Sequence, residues 1–159
     1  PWRATVAPET RKTVATAHLA AATLAQARSC SRLAGGLLLL GIASLLLPPA
    51  GPASTLLTAL AIGAGLVQHY YALRCDLDAR LFAAWAAQWE RPDGSPGADL
   101  AAFDQALGTL FGKSPPPRPL EERARAALRL FRHQLVALLV ELAAILGAVA
   151  WRLLQAGMN

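Results

Sequence analysis

Charge is scarce in this chain. Asp, Glu, Lys and Arg make up 16% of its 159 residues, against about 25% in soluble domains. Cysteine is scarcer: Cys30 and Cys75 stand alone, in neither a CxxC pair nor a Cys/His cluster at ligand spacing, which excludes a disulfide scaffold and a zinc site. No phosphate loop, nucleophile elbow, HExxH or dinucleotide fingerprint occurs. No internal repeat and no strand-like alternation is present either. These absences argue against an enzyme of any motif-bearing class, against a resident cofactor and against a β fold.

What the chain has is apolar helix-forming sequence. Its apolar fraction of 55% and mean hydropathy of +0.37 exceed the roughly 45–50% apolar content of soluble domains. Three uncharged or nearly uncharged stretches stand out, Leu33 to Leu47, Leu56 to Leu73 and Leu135 to Leu154. All but Arg152 of the fifteen Lys and Arg residues lie before the first stretch, between the second and third, or at their edges on that side. Short loops rich in Lys and Arg stay in the cytoplasm. The cation distribution therefore predicts three membrane spans with the amino terminus inside and the carboxyl terminus outside. The same bias accounts for the net charge of +5 without a nucleic-acid ligand. The first run starts some thirty residues into the chain and a second span follows directly, so it reads as a true span rather than a cleaved leader.

Four regions are expected: an interfacial amino-terminal helix over 1–32, a membrane hairpin over 33–73, a cytoplasmic helical region over 74–132 and a third span over 133–156. Pro8 is expected to delay the first helix until about Thr13. The first span is short, about 22 Å of helix against about 30 Å of hydrocarbon, and Pro48-Pro49 ends it. The turn to Thr55 carries no charge, and Ser54 or Thr55 suits the cap of the next helix. No breaker follows until Pro92, so the second helix should continue into the cytoplasm. A helix over Asp99 to Phe111 and a long one from Pro119 to about Gln155 complete an all-α membrane protein, whose second and third spans extend into a small cytoplasmic helical layer.

Few residues are positioned to carry a task. Glu141 lies about 13 Å along the third span, counted from Arg132, and an intramembrane carboxylate is rare and costly unless paired. It is either a proton or cation relay or, the favoured reading, a hydrogen-bonding group between helices. Ala59, Ala61, Gly63 and Gly65 form two small-xxx-small pairs that permit close helix contact. Phe82, Trp85 and Trp89 repeat on one helix face. They are candidates for docking a partner, and weigh more heavily as the core of the cytoplasmic layer. His69, Tyr70, Tyr71 and Arg74, with Arg129, Arg132 and His133, make an interfacial belt rather than a metal site, since two histidines lack a third ligand. His18 has no evident companion.

The functional expectation is a non-catalytic subunit or assembly factor of a complex in a bacterial inner membrane. Its partners would be other membrane subunits, with anionic headgroups against the basic 118–132 helix. A small oligomeric ion or proton channel built on Glu141 is the alternative.

Overall fold

A computed structural model describes residues 8–48, 51–112, 116 and 118–158. Residues 1–7, 49–50, 113–115, 117 and 159, including Pro49 at the expected end of the first span, lie outside the described residues. The described residues are helical, with no strand. Five helices follow one another: α1 (Pro8–Ala25), α2 (Ala27–Ser44), α3 (Pro52–Trp89), α4 (Pro96–Phe111) and α5 (Leu120–Met158).

The boundaries differ from the sequence reading in ways that proline explains. Pro8 opens α1 rather than delaying it, because a first-turn proline has no amide that the helix needs. Pro52 and Pro96 open α3 and α4 in the same way. Ser54 consequently sits inside α3, buried, rather than capping it. Leu45 to Leu47, the end of the first apolar run, form an exposed turn after α2. Gly112 closes α4 in the left-handed conformation (φ 67°), where only a residue without Cβ is unstrained.

Two helices, α3 and α5, are long and apolar enough to cross a membrane. The 18-residue α2 is shorter and carries Arg28 and Arg32 in its first turns.

The chain divides into two compact units. The first holds α1, the later part of α3 from Leu77, α4, and α5 as far as Arg129. Its centre is aromatic. Phe82, Trp85 and Trp89 are all buried; Trp85 stacks on Trp89 with centroids 5.8 Å apart and meets the edge of Phe103 at 5.2 Å. The Trp89 indole N–H donates to Asp99 Oδ2 at 2.8 Å, giving this buried ring its polar partner. Arg123 donates to both carboxylate oxygens of Asp104 at 2.6 Å while its guanidinium lies 5.6 Å over Phe103. Helix α1 belongs to this unit too. It buries Ala17, Ala20, Ala21 and Leu24, and His18 meets Glu90 at 2.8 Å.

The second unit holds α2, α3 as far as Asp76, and α5 from Leu130. Contacts fix the register of its three helices. Leu57 lies against Gly147, a Cβ on Gly65 would meet Glu141, and Tyr71 meets His133, so α3 and α5 are antiparallel. Gly41 faces Ile62 and Gly35 faces His69, so α2 is also antiparallel to α3. Buried positions along α3 fall at 54, 58, 61, 65, 68, 72 and 75, alternating steps of four and three. That 3.5-residue spacing keeps one narrow stripe against the neighbouring helices.

The filling of this stripe is unusual for a water-soluble bundle. Inside are Ser54, Thr58, Ala61, Gly65, Gln68, Ala72 and Cys75 on α3, facing Gln134, Ala137, Glu141, Ala144, Ile145 and Ala148 on α5. Outside are large apolar side chains: Leu39, Leu56, Leu60, Leu66, Leu73, Leu139, Leu146 and Leu153 are each more than half exposed. Small residues bring the backbones together, and the leucines face outward.

Candidate functional site: the polar seam of the second unit

The interior of the second unit gathers side chains that are costly to bury. Gln68, Gln134 and Glu141 are each 0% exposed. Gln134 donates through Nε2 to the Ala27 carbonyl at 2.9 Å, tying α5 to the start of α2. Glu141 has no hydrogen-bond partner on either carboxylate oxygen, and Gln68 none on its amide. Such groups cost about 1–3 kcal/mol each when left without a partner.

Gly65 makes room for the carboxylate. A Cβ at that position would stand 2.6 Å from Glu141 Oε1, so the carboxylate would have to move aside, and 3.1 Å from Leu38 Cδ1, a tight contact. The carboxylate thus lies where a side chain at position 65 would push it aside. Four residues on, His69 turns back to the same place, its Nδ1–H donating to the Gly65 carbonyl at 2.9 Å. That bond turns Nε2 toward Gly35. His69 also lines a groove of about 390 Å³ shared with Arg28, Ser31, Arg32 and Asp76, where Arg28 pairs with Asp76. On the other side of Glu141, Ala61, Ala144 and Ile145 form a dry cluster with Leu37 packed against it. The chain matches no known protein family, curated protein or solved structure.

The remaining sequence candidates separate clearly. Of the four small residues on α3, Ala61 and Gly65 are buried, whereas Ala59 and Gly63 face outward, and a Cβ on Gly63 would meet nothing. The two small pairs thus lie on different faces of the helix. Ala59, Gly63 and Ala64 floor an open apolar groove of about 600 Å³, walled by Leu60, Val67, Val136 and Val140 and ending at Tyr71 and His133. Phe82, Trp85 and Trp89 are buried; Trp85 packs on both of the others and on Phe103. His69 and His133 take different neighbours, the first Gly65 and Gly35, the second the Tyr71 ring at 5.5 Å. No group of three or more His, Cys, Asp or Glu able to hold a metal occurs among the described residues. Tyr70, Arg74, Arg129, Arg132 and His133 are exposed and Tyr71 half-buried. Sequence reasoning missed Gln68 and Gln134. Gln68 is a lone amide within an apolar run and Gln134 stands just before one, and the signal was available: both fall on the seam spacing that Gly65 and Glu141 also follow.

Proposed function

We propose that this is a multi-pass membrane protein, with α2, the first part of α3 and the second part of α5 as three spans, amino terminus inside and carboxyl terminus outside. The observation that carries the reading is the inverted distribution of residues in the second unit. A water-soluble bundle buries its leucines; here they face outward while alanine, glycine and amides fill the interior. In lipid the outward leucines cost nothing, and helix association depends on close packing and interhelical hydrogen bonds instead. The cation bias supplies the orientation.

Within the membrane the chain serves as a non-catalytic subunit or assembly factor of a larger complex, in a bacterial inner membrane. The outward groove floored by Ala59, Gly63 and Ala64 supports this. It offers a backbone-deep surface where a transmembrane helix of an unlike subunit can approach closely. The exposed Arg118, just before α5, and Arg125 and Arg129 on its early turns suit anionic headgroups. A photo-crosslinking residue placed at Gly63 in the native membrane tests the subunit role. A discrete adduct with one unlike chain is expected, missing when the probe sits at Leu153. An adduct only with a second copy would replace this reading with a homo-oligomer, and the absence of any adduct would remove the docking surface. A second reading, a proton channel or transporter component, draws its support from the buried polar side chains around Glu141.

A further inference from the structure

Every buried side-chain polar atom that lacks a partner among the described residues belongs to the second unit: Ser54 Oγ, both amide atoms of Gln68, Gln134 Oε1 and both oxygens of Glu141. Their order along the helices is informative. In the antiparallel register that sets Gly65 against Glu141 and Tyr71 against His133, Gln68 falls one turn beyond Glu141, and Gln134 a further turn beyond that. Those amides continue the polar line from Glu141 toward the end of the unit that carries Arg28, Arg32 and Asp76. In the other direction the line is cut. The Ala61, Ala144 and Ile145 cluster, with Leu37, lies between Glu141 and the Thr58 and Ser54 level.

Glu141 therefore has polar company on one side only. The titratable and charged groups around it are few. On α3, His69 turns back to the carbonyl of Gly65, the residue whose missing side chain makes room for Glu141, and it lines the groove with Arg28 and Arg32 of α2 and Asp76 of α3. On α5 itself, His133 is turned to Tyr71, and Arg152 is turned away to the Ser44 and Pro48 carbonyls. A carboxylate with no donor cannot stay an anion cheaply in such surroundings. Buried amides lacking protein partners bind water where room allows.

We propose that Glu141 is a proton-binding site, coupled to His69 and loaded from the Arg28/Arg32 end of the unit, with the Ala61–Ile145 layer closing it from the opposite end. The geometry has the parts of a half-channel: a polar side with a histidine lining its groove, an acid at its end, and an apolar stop behind the acid. The proposal rests on the membrane-spanning reading. Failure of that reading would show independently as a wrong reporter topology.

Infrared difference spectroscopy of the full chain in oriented proteoliposomes tests it, because a protonated carboxyl group has its own band. The band is expected in the unmodified protein and absent from Glu141→Gln. His69→Gln should move its titration midpoint by about one pH unit or more, a tenfold change in proton affinity, while His18→Gln leaves it in place. The band should follow the pH of the compartment on the Arg28 side alone. If Glu141→Gln loses its helical circular dichroism, Gly65→Ala replaces it: the new Cβ must displace the carboxyl group and shift the band. No difference from Glu141→Gln, a midpoint indifferent to His69→Gln, or a band that follows the opposite compartment would each overturn the proposal. So would a band unmoved by Gly65→Ala.

Discussion

Gly63 and Gly65 are two residues apart and have opposite surroundings. Gly65 looks into Glu141 and Leu38, and Gly63 into open space. Gly65→Leu should therefore destabilise the isolated protein by about 1–3 kcal/mol or more through overpacking, while Gly63→Leu leaves its stability unchanged. Thermal unfolding in detergent micelles, followed by circular dichroism, separates them; equal sensitivity would contradict the register that sets Gly65 against Glu141. From sequence alone the two glycines were indistinguishable, because both complete a small-xxx-small pair. Glu141 is read differently too. Its carboxyl group lies inside its own three-helix unit, so its substitution acts on this chain before it acts on any neighbour. With no protein partner to lose, Glu141→Leu should cost the fold less than about 1 kcal/mol, since removing an unsatisfied polar group is near neutral. A loss comparable to that of Gly65→Leu would mean that Glu141 holds a hydrogen bond after all.

At the scale of elements, α4 is joined to the rest of the first unit by two acids. Asp99 accepts from Trp89 and Gln88, and Asp104 from Arg123. The Asp104–Arg123 pair is largely buried, and breaking such a pair strands a charge. Asp104→Ala should cost about 3 kcal/mol and release α4, visible as a change in emission from the Trp85–Trp89 stack. The Lys12–Glu121 bridge is a contrasting case. Both side chains are exposed, and the hydrogen bond to Glu121, helped by its charge, raises the Lys12 amine above its ordinary range. A raised amine contributes fully below its ordinary value and loses the contribution only as pH climbs past the raised one. The bridge is thus fully formed at neutral pH, but both groups are solvated, so Lys12→Ala should lower the unfolding temperature only slightly there, as exposed bridges contribute little; a large drop would contradict that. The elements themselves were largely legible, because the proline-bounded helices and the long unbroken α3 follow from local breakers. The fate of α1 was not. Its stripe of Ala17, Ala20, Ala21 and Leu24 is weakly apolar, and its place in the first unit comes from distant partners such as Glu90 and Glu121. The aromatic stripe was visible as a periodicity, and only the contact with Phe103 decides that it is core.

For the molecule as a whole, the two units invert each other's logic. One buries tryptophan and phenylalanine among exposed charges. The other buries glutamine, glutamate and alanine beneath exposed leucine. A single solvent does not favour both, whereas water around the first unit and hydrocarbon around the second does. That division, with the orientation drawn from the cations, is the central claim. Its most direct test is a pair of fusions to a reporter active only outside the cytoplasm. One is placed after Gln155. The other goes in the loop after Gly112, which avoids Gly94, where a Cβ would stand 2.7 Å from the Trp89 backbone. Activity is expected at Gln155 and none after Gly112. Activity in the reverse pattern, or the same signal at both positions, would contradict the claim.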